Sequence, residues 1–229
     1  MPRQARLDTP GTLHHVMVRG IDGVAIFRDD QDREDFLSRI GHLVESTGTR
    51  ILAWVLMDNH IHLLLFSGPS GVATFMRRLL TGYAIWFNRR YQRSGHLFQN
   101  RYKSIVCEED AYLLELVRYI HLNPVRASIV KSVAELDRYR WSGHSVLVGK
   151  RDNERQESEY VLRHFSKKRK KAMLVYRQFV EEEKDQGRRP ELVGGGLIRS
   201  LGGWSRVLSY RRVGKLGTLF TMLTSSSCS

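Results

Sequence analysis

Val55-Leu56-Met57-Asp58-Asn59-His60-Ile61-His62-Leu63-Leu64-Leu65-Phe66 decides how this chain is read. Two apolar runs flank Asp58-Asn59, a pair of turn formers, so the stretch is predicted as two strands joined in a hairpin. Side chains alternate faces along a strand. His60, His62, Leu64 and Phe66 therefore share one face, and Ile61, Leu63 and Leu65 share the other. Two imidazoles on neighbouring positions of one face have Cα atoms roughly 6–7 Å apart, from a rise of ~3.3 Å per residue. Their ring nitrogens can converge on one metal ion, and a third ligand from elsewhere would complete a site. A His-x-His pair also occurs on ordinary half-exposed strands, so the metal reading depends on the rest of the chain.

Upstream of the hairpin, Leu13–Val18 reads as a first strand. Asp29 or Asp30 can cap a helix carrying Phe36, Leu37, Ile40, Leu43 and Val44 at helical spacing, with Thr47-Gly48 at its end. Downstream, Ser70 is placed to cap a second helix with the stripe Val72, Phe75, Met76, Leu79, Leu80, Tyr83 and Phe87. Arg101–Val106 reads as a fourth strand. Glu108-Glu109-Asp110 opens a third helix, where negative charge suits the dipole, and Pro124 marks its end. The order strand, helix, strand, strand, helix, strand, helix predicts an α+β fold. It is a ferredoxin-like antiparallel sheet with packed helices, spanning residues 8–148.

Residues 151–229 are expected to form a basic C-terminal extension, helical and then poorly ordered. Residues 1–150 hold 20 Lys+Arg and 15 Asp+Glu, net +5, whereas residues 151–229 hold 17 and 9, net +8. The whole chain of 229 residues carries +13. An excess of that size points to a polyanion, most simply nucleic acid. Two distant cysteines, Cys107 and Cys228, exclude a disulfide framework. No apolar run approaches the ~20 residues of a membrane span, and Met1–Arg6 lacks a signal-peptide core. A reducing cytoplasmic setting is expected.

The third helix buries Leu113, Leu116, Val117 and Ile120 on its core stripe. Tyr119 lies on one edge of that stripe, and Asn123, four residues on, sits one turn along the same side. His121 is turned by about 200° to the far edge. A phenol and an amide are thus offered together beside a sheet face that offers two imidazoles. Taken alone, Tyr119 also fits a boundary tyrosine that buries its ring and keeps its hydroxyl wet.

Four segments in order carry a resemblance. They are His14-His15-Val16-Met17-Val18-Arg19-Gly20, Met57–Leu64, Gly95-His96-Leu97-Phe98-Gln99-Asn100-Arg101-Tyr102-Lys103-Ser104, and Arg118-Tyr119-Ile120-His121-Leu122-Asn123-Pro124-Val125-Arg126-Ala127. The set resembles the IS200-like tyrosine transposases of the HUH, single-tyrosine (Y1) class, most closely their REP-associated branch. Weaker similarity continues through Arg188–Leu197.

The resemblance implies a metal-dependent single-strand DNA transposase and endonuclease. It would cut and rejoin hairpin-bearing, REP-like DNA through a 5′-phosphotyrosine, acting as monomer or homodimer. It makes Tyr119 the nucleophile and His60, His62 and Asn123 the metal ligands. Two neutral imidazoles and an amide leave open, partly hydrated positions, which suit Mg²⁺ or Mn²⁺, with zinc also open on ligand type. DNA contact would fall to Arg77, Arg78, Arg101, Lys103, Arg118 and Arg126, with bases stacking on Tyr102. The competing reading is a catalytically silent DNA- or RNA-binding regulatory module on the same fold.

Overall fold

Four antiparallel strands carry the molecule: β1 (Leu13–Arg19), β2 (Arg50–Met57), β3 (His60–Phe66) and β4 (Lys103–Cys107), in the spatial order β2-β3-β1-β4. They come from a computed structural model that describes residues 9–107 and 109–184. Helices α1 (Asp30–Thr47) and α2 (Gly71–Arg90) join β1 to β2 and β3 to β4, and α3 (Glu109–His121) follows β4. This is the expected ferredoxin-like α+β arrangement.

Local chemistry sets the element ends. The Asp29 carboxylate accepts from the Asp32 amide at the start of α1, and Gly48 closes that helix at φ 67°. Ser70 stands at the N-cap of α2 without the side-chain bond its type invites. The fourth strand begins at Lys103 rather than at Arg101. Beyond His121 the helix breaks at Leu122, and Pro124 starts a further short helix, α4 (Asn123–Arg126), because proline fits a first helical turn.

Helices α1 and α2 bury Phe36, Ile40, Phe75, Leu79 and Tyr83 against Val16, Val18, Ile61, Leu63 and Leu65. Alternation turns His15, His62 and Leu64 to the opposite face, where α3 crosses β2 and β3. All of these strand side chains are buried. Both faces of the hairpin are thus covered.

Four short segments follow: α5 (Val133–Leu136), α6 (His144–Leu147), α7 (Ser158–Leu162) and the longer α8 (Arg169–Glu182). The free edge of β2 is closed by this part of the chain. Leu56 N–H donates to the Trp141 carbonyl, Gly143 N–H to Trp54 and Glu157 N–H to Ile51. Trp54 Nε1 donates to Gln156 Oε1 at 2.9 Å. An edge strand left bare would invite pairing with other chains.

Helix α8 is tied to α3 from within. The Tyr176 hydroxyl lies 2.7 Å from His121 Nδ1 and 2.8 Å from His144 Nδ1. His144 Nε2 reaches Asp137 Oδ1 at 2.9 Å, and Arg177 Nε reaches Asp137 Oδ2 at 2.8 Å. The compact unit accordingly runs through α8. The change in composition near residue 150 marks no structural boundary, because residues 151–184 supply edge-closing backbone bonds and buried side chains. Arg188–Leu197 and the Ser- and Thr-rich end lie outside the described residues.

Candidate active site

The site is built at the tip of the β2–β3 hairpin. Residues 20–27 clamp that tip: Gly20 N–H donates to the Asn59 carbonyl, and the Ile26 and Phe27 amides both donate to Asp58. Gly20 has to be glycine, since a Cβ there would collide with the Val24 carbonyl. The same clamp orients a side chain. Asn59 Nδ2 donates to the Gly23 carbonyl at 3.1 Å, which leaves Asn59 Oδ1 facing His60 Nδ1 at 2.7 Å. An amide oxygen only accepts, so His60 carries its proton on Nδ1 and presents Nε2 as a lone pair. Burial lowers the His60 pKa, and the nearby Arg19 charge lowers it further.

His62 is oriented from β1. Its Nδ1 lies 3.0 Å from His15 Nε2, and the two rings stack with centroids 5.2 Å apart. In the β1–β3 register His15 is opposite Leu64 and Met17 opposite His62, so the pair is diagonal. Burial holds the His62 pKa well below the ordinary imidazole value. The positive potential of His15, His60 and Arg126 adds to this. His62 is therefore neutral at pH 7 and able to act as a ligand.

Tyr119 meets this pair across the layer. Its ring centroid is 6.3 Å from that of His62 and 6.2 Å from that of His15, both edge-on. The rings of His60 and His62 are 5.3 Å apart. Helix periodicity and strand alternation have brought a phenol and two imidazoles from different elements to one place.

Asn123 is on the same side of the helix. Its Nδ2 donates to the carbonyls of Tyr119 at 3.0 Å and Ile120 at 3.1 Å, satisfying the end of α3. The amide oxygen keeps its acceptor capacity. Among the described residues, no set of three or more histidine, cysteine, aspartate or glutamate side chains could hold a metal. A cation here would rest on His60 and His62, with its remaining ligands an amide oxygen, water or substrate. Each imidazole has one nitrogen engaged and the other available, the donor set of an open site.

The residues expected to contact DNA divide. Arg77, Arg78, Arg101 and Lys103 are exposed. Arg126 reaches back to the Tyr119 carbonyl at 2.8 Å, and its guanidinium lies 4.7 Å from the Tyr119 ring centre. Arg118 is 5% exposed. It pairs with Glu115 at 2.7 Å and Glu183 at 2.6 Å, donates to the Phe179 carbonyl and lies 3.8 Å over the Phe179 ring. Arg118 is thus a buried tie to α8 and not a phosphate contact. Tyr102 is 6% exposed and belongs to the core beneath α2, so it cannot serve as an open stacking platform. His15 and Asn59 are the site residues that sequence reading missed. Asn59 precedes a candidate ligand, which is a detectable signal, whereas the His15–His62 contact depends on strand register.

Residues 11–123 match the family model described as transposase IS200 like. These residues belong to the IS200-like transposase family. The REP-associated tyrosine transposase bound to a REP hairpin is similar in fold, with a TM-score of 0.52 at 17% identity. That match covers 69% of this chain and 98% of the other. A protein of Deinococcus radiodurans R1 described as a transposase aligns at 16% identity over 49% of this chain and 91% of its own, with a TM-score of 0.36. No curated protein matches the chain. The transposase core is thus placed by its sequence family, and the first structural likeness agrees with its fold. Among the described residues no helix is long and apolar enough to cross a membrane.

Proposed function

We infer that the chain is a tyrosine transposase that cuts and rejoins single-stranded, hairpin-bearing DNA. One observation carries this reading: the Tyr119 ring stands 6.3 Å from a buried, neutral His62 whose neighbour His60 offers a free Nε2. The hairpin-bound transposase of similar fold supports the choice of substrate.

His60 and His62 would hold a divalent cation, Mg²⁺ or Mn²⁺, with the Asn123 amide oxygen as a third ligand. When bound, that ion supplies Lewis-acid stabilisation of phosphate oxygens. The protein supplies the rest. Asn59 fixes the tautomer of His60, and His15 holds the ring of His62. Both donors are then set before substrate arrives. The Tyr119 oxygen attacks phosphorus. A tyrosine O–P bond forms as the bond to the 3′ oxygen breaks, and the phenol proton leaves while the departing oxygen gains one. A 5′-phosphotyrosine and a free 3′-OH result, and a 3′-OH of the same or another strand reverses the step. Arg126, over the ring and bonded to the Tyr119 carbonyl, keeps the phenol from turning away.

The test is a denaturation-resistant protein–DNA adduct formed with single-stranded hairpin DNA and Mn²⁺. The adduct is expected from the natural chain, absent from Tyr119→Phe with DNA binding retained, and absent in chelator. An equal adduct from Tyr119→Phe removes the nucleophile assignment. Binding without any adduct leaves the silent binding module as the reading.

A further inference from the structure

A second site lies on the other face of the sheet. A groove of roughly 920 Å³ runs between α2 and the segment 95–102. Its floor is apolar, with Leu80, Ala84 and Phe98, and Ile85 stands 48% exposed at its margin. Its polar rim is basic, with Arg77 from α2 and Arg101 from the loop. Among the described residues no aspartate or glutamate lines it. Arg77 and Arg101 enter no ion pair among the described residues, whereas Arg90, Arg118 and Arg140 are each bound to carboxylates. Another groove, beside α1, has a rim of mixed charge, with Glu34, Glu45, Asp152 and Glu154 facing Arg140, Arg151 and Arg155.

The loop wall is held in place. Ile21 N–H donates to the Leu97 carbonyl and Gln99 N–H to Arg19, with Gly20 bridged to Phe98. Asn100, next to Arg101, has φ 148°, a conformation that residues with side chains rarely adopt. Since Arg19 pairs with His60 in the β1–β3 register, Phe98 stands about 10 Å across the sheet from His60, two strand spacings. An apolar floor with unpaired cations at its rim fits a ligand with a flat apolar body and a phosphate.

We propose that this groove binds one or two unpaired nucleotides of single-stranded DNA, with bases against Leu80, Ala84 and Phe98 and phosphates at Arg77 and Arg101. The site goes beyond the proposed chemistry and does not need Tyr119 to react. Duplex DNA, with its bases stacked inside, has nothing to offer the floor.

The test uses the full-length Tyr119→Phe chain, so that no cutting intervenes. Oligothymidine carrying 5-iodouracil is irradiated on the protein, and the crosslinked peptide is identified by mass spectrometry. A crosslink within residues 95–102 is expected. In parallel, Arg77→Ala/Arg101→Ala is titrated with labelled oligothymidine over a range of salt. Affinity should fall at least tenfold, and the log–log salt slope should shrink by about 1.4, the value for two phosphates of a single strand. Duplex affinity should change less. Crosslinks confined elsewhere, or an unchanged slope, overturn the proposal. A silent groove beside an intact adduct from the natural chain removes this site alone, and groove binding without an adduct removes only the active-site reading.

Discussion

Two groups of histidines are tied to α3, and they differ in what closes their second ring nitrogen. At the hairpin tip, His60 and His62 each have Nδ1 engaged, by Asn59 and His15. Among the described residues neither has a second hydrogen-bond partner that would close the ring. Beneath α8, the Asp137 carboxylate accepts from His144 Nε2, so His144 Nδ1 accepts from the Tyr176 hydroxyl and Tyr176 accepts from His121 Nδ1. That chain runs in one direction and ends at His121 Nε2, which is fully buried. One residue type thus does two jobs. A half-engaged imidazole at an open end can take a ligand, while an enclosed one holds two helices together.

His62→Ala should lower strand cutting by about 10²–10³-fold, the scale seen when one preorganised stabilising group is lost. Its melting temperature should fall by only a few degrees, because the buried His15 loses its partner. Adduct yield and a thermal melt check both, and cutting that survives would return His62 to a packing role. Asn59→Ala comes next. Loss of a group that orients a ligand typically weakens metal binding about 10–100-fold. The Mn²⁺ concentration for half-maximal cutting should rise by that factor, and an unmoved Mn²⁺ dependence would deny Asn59 its role.

Tyr176→Phe acts on the other group. It leaves two buried imidazole nitrogens unpaired, at about 1–3 kcal/mol each, measured by urea unfolding. Cutting well below the melting temperature should persist. A variant that loses cutting and keeps its stability would show that the two groups are not separate. The smallest effect is on pH. Burial lowers the pKa of His121 and His144 in the folded chain. The unfolded chain then binds more protons below about pH 6.5, and stability falls as pH drops through that value. Asp137 works in the same direction at lower pH: burial raises its pKa, but hydrogen bonds from His144 and Arg177 leave it below the usual value. The melting temperature should drop by a few degrees between pH 7.5 and pH 5. His144→Gln should flatten that drop, and a melting temperature that rises on acidification would contradict the network.

The order of elements, the face shared by His60 and His62 and the helix edge that carries Tyr119 were legible, because strand alternation and helix periodicity are local rules. The charged and aromatic residues were less so. Arg118 next to Tyr119 reads as a DNA contact, yet Glu183 and Phe179 lie some sixty residues away in sequence and take it inside. Tyr102 alternates with Arg101 and Lys103 as a half-exposed strand residue would, but the chain enters β4 only at Lys103 and the ring turns under α2. His15 and His62 share no spacing that a motif can encode. Partners set by tertiary packing leave no trace in a local pattern. The basic composition beyond residue 150 suggested an appendage because charge counts do not reveal an amphipathic helix whose inner face is spoken for.

The family match stops at residue 123, just where α3 has ended, and an expression clone trimmed to that limit would lose both the strip that shields β2 and the strut behind the candidate nucleophile. Arg118 and His121 would be laid bare, and Trp54 would lose the glutamine that receives its indole proton. A stop codon introduced between α6 and Gln156 should therefore yield an aggregating product, even with every residue of the hairpin tip intact.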